Sequence, residues 1–230
     1  MDKLTEQYLL EVVKSNYENI AVDFSATRQN LRWLDLESYT AKVLADQSVL
    51  DVGCGDGRLL SSFKNGFRCY VGVEPSAALA KIAQEKGERE KVKVVVGDIL
   101  KLNKNITEKF DWVFCIAVLH HIPGCNLQIE ALKKLRERLN DNGRIVISVW
   151  RMWQWPKLRT EIIKQALKKI IGLNKMDLGD ILFDWKKGER SLRYYHFFTE
   201  RGLRKIIAQA GLEIEHWERG EKNHYVTLKK

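Results

Sequence analysis

The sequence predicts an α/β protein whose core is a doubly wound, mostly parallel seven-stranded sheet with helices on both faces. Apolar strand patterns alternate along the chain with helical patterns, which is typical of strand–helix–strand units in a parallel sheet. A glycine-rich turn follows the first strand pattern, at a place where such sheets bind ligands. The chain has 230 residues, which suits one large core better than two ordinary domains. We therefore expect a single domain, residues 1–230.

The first segment, residues 1–46, is predicted to form a helical cap. Apolar residues recur at helical spacing over residues 5–22, and again over residues 29–44. The segment between them contains Phe24 and Arg28.

The second segment, residues 47–150, contains the regular alternation. Five strands are predicted, over residues 48–52, 70–74, 92–96, 110–116 and 144–149. Helices are predicted directly after Gly57, over residues 75–86 and over residues 127–139. These units make the parallel part of the sheet.

Two further segments complete the chain. Residues 151–198 interrupt the alternation as a basic insertion, with a helix near residues 158–171 and a loop through residues 184–187. Residues 199–230 restore it: a helix over residues 199–210 begins at a capping threonine and ends before a glycine. Two closing strands follow, over residues 212–217 and 225–229.

The composition favours a cytoplasmic protein without membrane contact. The longest apolar runs, such as residues 112–119, are far shorter than the roughly 20 residues that cross a bilayer. The first residues lack the basic and apolar pattern of a secretory signal. The four cysteines form no CxxC pair, so we expect buried thiols in a reducing compartment and no metal site.

The glycine-rich turn is the first candidate binding element. Its residues are Asp51, Gly53, Cys54, Gly55 and Gly57. Glycines let the backbone turn sharply and approach a ligand closely. The third glycine comes one residue too early for the dinucleotide pattern GxGxxG, which argues against a nicotinamide cofactor.

Further candidates follow the other predicted strands at their carboxyl ends. Glu74, followed by Pro75, ends the second strand, where a carboxylate can accept hydrogen bonds from both hydroxyls of a ribose. Asp98 and Ile99 follow the third strand, where they can contact an adenine ring. The fourth strand ends in a segment that runs from Ile116 through Val118 to two histidines. Ligands of open α/β sheets bind at these strand ends.

In this order, these motifs resemble the class I S-adenosylmethionine-dependent methyltransferases over about residues 47–150. The resemblance implies a Rossmann-like fold and S-adenosyl-L-methionine as cofactor. It implies that the glycine turn holds the methionine moiety, Glu74 the ribose and Asp98 the adenine. The implied cofactor-binding residues are Asp51, Gly53, Cys54, Gly55, Gly57, Glu74, Pro75, Asp98, Ile99, Ile116 and Val118.

Segments outside this core carry a narrower resemblance. The residues from Tyr17 to Arg28, the segment Ile116 to His121, the run Arg193-Tyr-Tyr-His-Phe-Phe198 and the pair Asn223-x-Tyr225 resemble the tRNA wobble-uridine methyltransferases, which in animals are fused to an AlkB-like oxygenase. This resemblance implies methylation of the carboxylate of 5-carboxymethyluridine in the anticodon. It implies tRNA, through its anticodon loop, as the partner, and for eukaryotic members a small zinc-binding activator subunit.

The chemistry of such a substrate selects the candidate catalytic residues. A carboxylate is already ionised at pH 7 and needs orientation rather than a general base. Arg28 and Arg193 are predicted to grip the carboxylate or a nearby phosphate, because an arginine fork matches those groups. His121, Tyr195 and His196 are predicted to position the base or stack on it. The alternative is structural: strand core for Tyr195, and sheet capping for the histidines.

The net charge of +9 is concentrated in the insertion and the helix after it. Residues 151–210 hold 14 Lys and Arg against 6 Asp and Glu, whereas residues 1–150 hold 21 against 20. Cations neutralise phosphates, and aromatic rings stack on unpaired bases. The segment contains the aromatic residues Trp153, Trp155, Trp185, Tyr194 and Tyr195. It is therefore predicted to contact RNA, with a solvated helix face over buried tryptophans as the alternative.

Two other functions are compatible with the same core. A small-molecule O- or N-methyltransferase would act without RNA and would be indifferent to the charge of the basic insertion. An RNA-binding pseudoenzyme would retain the fold and lack cofactor binding. The intact residues Asp51, Gly53, Gly55, Gly57 and Glu74 argue against the pseudoenzyme.

Overall fold

The computed structural model describes residues 1–27, 34–87, 90–185 and 191–230. The helices in these ranges are α1 (Lys3–Asn19), α2 (Ala21–Ala26), α3 (Leu34–Thr40), α4 (Ala77–Lys86), α5 (Leu102–Asn105), α6 (Cys125–Glu137), α7 (Pro156–Ile170) and α8 (Glu200–Gln209). The strands are β1 (Ser48–Val52), β2 (Cys69–Glu74), β3 (Val92–Val96), β4 (Phe110–Ile116), β5 (Leu139–Trp150), β6 (Asp180–Trp185), β7 (Ser191–His196), β8 (Glu213–Arg219) and β9 (Asn223–Lys229).

Seven strands form one sheet in the order β3-β2-β1-β4-β5-β9-β8. The five strands from β3 to β5 are parallel, whereas β9 runs antiparallel to β5 and β8 antiparallel to β9. The predicted doubly wound, mostly parallel seven-stranded sheet is therefore confirmed. The chain order reverses between β1 and β4, and the carboxyl ends of strands at such a point form the usual ligand crevice.

Both faces of the sheet are buried, which is why its central strands are mainly apolar. All five residues of β1 are buried. Leu50 and Val52 pack into a cluster with Leu132 of α6 and Leu203 of α8. Val49 belongs to a second cluster, which includes side chains of α3. Neighbouring residues of a strand point to opposite faces, so one short strand anchors helices on both sides and holds the glycine turn in place.

The segment after the glycine turn differs from its prediction. A short 3-10 turn, Arg58–Ser62, stands where a helix was expected. The hydroxyl oxygens of Ser61 and Ser62 donate to the carbonyls of Arg58 and Leu59 at 3.1 and 2.6 Å, and such bonds compete with a continuing α-helix. Gly66, at φ +75°, then turns the chain towards β2. The predicted helix is therefore wrong.

The N-terminal cap and the closing strands differ from prediction mainly at their ends. One helix was expected over residues 5–22, but the cap has two, α1 and α2. Of the helix expected over residues 29–44, the described part is α3, which ends at Thr40. The closing strands β8 and β9 begin and end close to their predicted bounds.

The basic insertion contains two paired strands, and β6 extends to Trp185, so the first half of the loop expected over residues 184–187 is strand. Strands β6 and β7 pair antiparallel, with Ile181 opposite Tyr195 and Phe183 opposite Arg193. The alternating apolar and aromatic residues of both segments favour strands. The insertion has a hydrophobic cluster of its own, made by Met152, Leu158, Ile162, Ile181 and Tyr195. Lys186, Lys187 and Arg190, which belong to the predicted basic surface, lie outside the described residues.

Helix α7 shows two apolar faces. Leu158 and Ile162 point into the insertion's own cluster. Ile163, Leu167 and Ile170 are exposed on the other side. The outer face of this basic helix is therefore partly aliphatic. No helix in the described part of the chain is long and apolar enough to cross a membrane.

Candidate functional site

A cavity of about 490 Å³ opens at the carboxyl ends of the central strands. Its walls come from the cap, from the strand ends of the core and from the insertion. Residues from these three sources include Tyr17, Phe24, Asp51, Gly53, Cys54, Gly55, Glu74, Pro75, Ile116, Val118, His121, Trp150, Arg193 and Tyr195. The structure therefore brings together most of the residues that the sequence singled out for cofactor and substrate.

The glycine turn forms the floor of one end of this cavity. Gly53 and Gly55 have left-handed backbones, at φ +74° and +57°. A Cβ atom on Gly53 would lie 2.3 Å from Cγ2 of Val118, which is too short for two carbon atoms that are not bonded to each other. The amides of Gly53 and Cys54 donate to the carbonyl of Val73 at 2.7 and 3.2 Å. Only glycine fits this bend, so bare backbone faces the cavity here.

Glu74 lies beside the turn and is held by backbone groups. Its Oε2 accepts from the amide of Gly55 at 2.9 Å, and its Oε1 accepts from the amide of Ser76 at 3.0 Å. Burial raises the pKa of this carboxyl group to about 7, and the two amide donors act against that rise. The carboxyl group is thus fixed at the cavity wall, where it can accept hydrogen bonds from a hydroxylated ligand.

Asp51 is the second buried acid at this end. Its Oδ2 accepts a hydrogen bond from the hydroxyl of Tyr70 at 2.7 Å. Burial raises the pKa of Asp51 to about 7, although that hydrogen bond lowers it, and the nearby charge of Glu74 adds to the rise.

These raised values predict a pH-dependent stability. The unfolded chain releases the proton of Asp51 near pH 3.8 and the folded chain near pH 7, so the free energy of unfolding falls as pH rises between those values. Asp51→Asn removes this term and keeps an acceptor for Tyr70. We expect the difference in unfolding free energy between pH 5 and pH 7.5 to shrink by roughly 1 to 3 kcal/mol, as measured by urea denaturation.

The control for this experiment is Asp141→Asn. The pKa of Asp141 is lowered by a hydrogen bond from Lys230, so this carboxyl group stays ionised throughout the range and its loss leaves the pH dependence unchanged. An Asp51→Asn protein with the wild-type pH dependence would contradict the prediction.

The cap is tied to the glycine turn through Asp56. The hydroxyl of Ser25 donates to Oδ2 of Asp56 at 3.1 Å, and Nζ of Lys86 donates to the same oxygen at 2.6 Å. Asp56 is buried, so two donors satisfy its charge inside the protein. Helix α2 is thereby fixed over the cavity.

His121 connects the cap, the core and the insertion. Its Nδ1 lies 3.3 Å from the carbonyl oxygen of Tyr194, and its Nε2 lies 2.9 Å from the hydroxyl of Tyr17. A carbonyl only accepts, so Nδ1 carries the hydrogen and Nε2 accepts from the hydroxyl of Tyr17. Burial lowers the pKa of His121 to about 4. The imidazole is therefore neutral at pH 7 with both nitrogens engaged.

Strand β7 delivers two side chains to the cavity and turns two away from it. Arg193 and Tyr195 line the cavity, because alternate residues of a strand share a face. Tyr194 and His196 bind Oδ1 of Asp180 instead, at 2.8 and 2.7 Å. The expectation that His196 positions the substrate is corrected: the strand places its ring on the other face.

Three other predicted site residues also lie away from the cavity. Oδ1 of Asp98 accepts from the amide of Leu100 at 2.8 Å and caps a short turn. Ile99 is packed into the hydrophobic core. Gly57 turns the chain at φ +77°, and a Cβ there would approach Ala83 of α4 at 3.1 Å. These contacts are within the protein, and the predicted cofactor contacts of the three residues stay predictions. Arg28, the remaining predicted contact, lies outside the described residues.

Among the contributors to the site that the sequence prediction missed are Tyr17, Trp150 and Ala117. Tyr17 and Trp150 line the cavity, and a signal for Trp150 was its position at the end of the fifth strand. Ala117 also lines the cavity. Its φ is +58°, and in the described ranges every other residue with a positive φ is a glycine. Its amide is held by the carbonyl and hydroxyl oxygens of Ser148 at 3.2 and 3.0 Å. Such strained residues concentrate at functional sites.

Known proteins resemble this chain over nearly its whole length. A family model described as a methyltransferase domain matches residues 22–217. The tRNA (carboxymethyluridine(34)-5-O)-methyltransferase of Schizosaccharomyces pombe is 25% identical over 94% of this chain and 99% of its own length. The protein of that name in Arabidopsis thaliana is 31% identical over 64% of this chain, which spans 35% of that relative. A SAM-bound amino pentose methyltransferase from Micromonospora echinaspora has the same fold, with a TM-score of 0.62 and 16% identity over 90% of this chain and 96% of its own.

Proposed function

Since this chain belongs to the methyltransferase domain family, we propose that it is a tRNA methyltransferase that esterifies the carboxylate of 5-carboxymethyluridine at the wobble position of the anticodon. The observation that carries the proposal is the wall of the cavity that contains Arg193. Arg193 and Tyr195 of β7 line the cavity beside His121, whose pKa burial lowers to about 4 and whose two ring nitrogens are both hydrogen-bonded. This arrangement suits a nucleophile that is already an anion.

The methyl donor is S-adenosyl-L-methionine, and the cavity fits it. Bound there, it supplies a methyl group on a positively charged sulfur. Gly53 and Gly55 leave bare backbone where a Cβ atom on Gly53 would already collide, so an amino acid moiety can lie against the turn. The fixed carboxyl group of Glu74 can accept from ribose hydroxyls. Cys54, Pro75, Ile116 and Val118 line the same space.

The substrate end of the cavity is chemically different. The guanidinium of Arg193 offers a planar pair of donors to a carboxylate. Tyr195 is buried, and its ring stacks on those of Trp150 and Phe183 at 4.9 and 5.9 Å, which agrees with a strand-core role and makes it a support of this wall. Arg193 would thus orient the carboxylate, and Tyr195 would keep the wall in place.

The hydrogen bonds of three potential proton acceptors, His121, Glu74 and Asp51, favour a carboxylate nucleophile, although the exposed Asp23 also lines the cavity. Amine or hydroxyl nucleophiles have to lose a proton during methylation, which general bases assist. His121 is neutral with both nitrogens bonded. The carboxyl groups of Glu74 and Asp51 accept hydrogen bonds from Gly55 and Tyr70 at the glycine-turn end of the cavity. A carboxylate, with a pKa near 4, is already ionised and depends only on orientation.

Two further lines of support concern tRNA. The relatives from Schizosaccharomyces pombe and Arabidopsis thaliana carry the proposed activity in their names. The excess positive charge of residues 151–210 lies on the segment that supplies Arg193 and Tyr195, where the phosphates of a bound loop would be neutralised. A small zinc-binding activator subunit stays a prediction.

The test is methyl transfer to a defined tRNA. The protein is incubated with isotopically labelled S-adenosyl-L-methionine and tRNA that carries 5-carboxymethyluridine, followed by nucleoside mass spectrometry. We expect a labelled methyl ester that mild alkali hydrolyses, and none on tRNA with an unmodified uridine. Methyl transfer to a metabolite and not to tRNA would refute the proposal, and calorimetry without S-adenosyl-L-methionine binding would favour a pseudoenzyme.

A further inference from the structure

Stacked aromatic rings lead from the cavity to the protein surface. Trp150 lines the cavity and stacks on Tyr195 at 4.9 Å with an interplanar angle of 27°. Trp150 also stacks on Trp155 at 5.7 Å and 23°. Trp155 is 39% exposed. The ring system that borders the substrate end of the cavity therefore continues into solvent.

A second exposed tryptophan stands beside the first. Trp153 is 47% exposed and stacks on Phe197 at 5.7 Å and 30°. The turn that carries both tryptophans is anchored by the buried Met152, whose carbonyl accepts from the amide of Trp155 at 3.0 Å. Large aromatic side chains tend to be buried, yet this turn holds two of them outward on rigid supports.

The surroundings of these rings are basic. Residues 151–160 include Arg151, Lys157 and Arg159 and contain no acidic residue. The guanidinium of Arg151 is fixed by the carbonyl of Gly220 at 2.7 Å. Aromatic rings and cations together bind single-stranded nucleic acids, because bases stack on the rings while cations contact the phosphates. A duplex offers no unpaired base faces along its length.

We propose that Trp153 and Trp155 form a base-stacking platform for unpaired RNA nucleotides next to the nucleotide that enters the cavity. The identity of the nucleotide in the cavity rests on the proposed function. The platform itself requires only unpaired RNA. Trp155 stacks on Trp150, which lines the cavity, so a base on the exposed platform and the nucleotide in the cavity can belong to one loop.

Binding measurements on short RNAs test the platform without methyl transfer. A fluorescein-labelled heptaribonucleotide and a duplex of the same sequence are titrated with wild type, Trp155→Ala, Trp155→Leu and Trp155→Phe, and with the same three changes at Trp153. We expect the Ala and Leu variants to lose roughly tenfold or more in affinity for the single strand, with Phe near wild type. Duplex affinity should stay unchanged. Tyr8→Ala, an exposed aromatic residue on α1, is the matched control and should bind as wild type.

Further results separate the platform from the proposed function. If tRNA is methylated, Trp155→Ala should raise KM for tRNA about tenfold and leave kcat unchanged. A Trp155→Ala protein with wild-type single-strand affinity and KM overturns the platform and leaves the function standing. Equal losses for single strand and duplex, or a Leu variant that binds as wild type, also overturn it. Loss of single-strand binding in a protein that methylates no tRNA supports the platform and refutes the function.

Discussion

Gly53→Ala should lower the affinity for S-adenosyl-L-methionine by at least about 100-fold, as measured by calorimetry. The new methyl group would lie 2.3 Å from Cγ2 of Val118, so the side chain of Val118, the turn or the loop after β4 has to move. The left-handed backbone at φ +74° adds strain, worth roughly 1 to 2 kcal/mol. Together with overpacking, we expect the free energy of unfolding to fall by about 2 to 4 kcal/mol.

Gly66→Ala is the matched control for this collision. Gly66 has nearly the same backbone, at φ +75°, but nothing lies within 4 Å of the position of its Cβ. It should therefore cost only the backbone strain, roughly 1 to 2 kcal/mol, and leave cofactor affinity unchanged. Equal cofactor affinity in the two variants would show that the close approach at Gly53 is irrelevant to binding.

Arg193→Ala should reduce kcat/KM on carboxymethylated tRNA by roughly 100- to 1000-fold. Hydrogen bonds to charged groups are worth about 1.5 to 3 kcal/mol each, and a guanidinium offers two to one carboxylate. The loss should appear mainly in kcat, because an unoriented carboxylate rarely reaches the methyl carbon in line. Cofactor affinity should remain that of wild type.

Two companion variants sharpen this result. Arg193→Lys keeps the charge but loses the planar fork, so its activity should lie between those of wild type and Arg193→Ala. Arg219→Ala removes an exposed arginine that pairs with Glu200 and should leave activity unchanged. If Arg193→Ala retained full activity on tRNA, the carboxylate would have to be held elsewhere.

The parallel core could be predicted because its signals are local. Each strand from β1 to β4 is a short, mainly apolar run, and β5 has such a run in its second half. The glycine turn after β1 combines with Glu74 at the end of β2 in one chain order. The 3-10 turn at residues 58–62 was missed because its cause lies in two serine hydroxyls and in Gly66. These three residues end the helical structure early, although the spacing of the apolar residues is that of a helix.

The substrate wall could be predicted only in part. Arg193, Tyr195 and His196 lie almost next to one another in sequence, so no local pattern tells which faces the cavity. The hairpin register decides it, since a shift by one residue exchanges the two faces. The contact between Tyr17 and His121 joins residues 104 positions apart. Its existence follows from how the cap packs on the core, which apolar spacing leaves open.

The separate hydrophobic cluster of the basic insertion has a consequence for protein engineering. Met152, Leu158 and Ile181 bury one another rather than entering the clusters of the central sheet. The residues proposed for the methyl donor come from other segments, such as Gly53 and Glu74. Tyr194 nevertheless packs against Leu9 of the cap, and Phe198 enters the cluster of the central sheet, so residues 151–198 could be transplanted between related chains only together with these contacts. A chimaera with a foreign insertion would keep its donor and acquire a new acceptor.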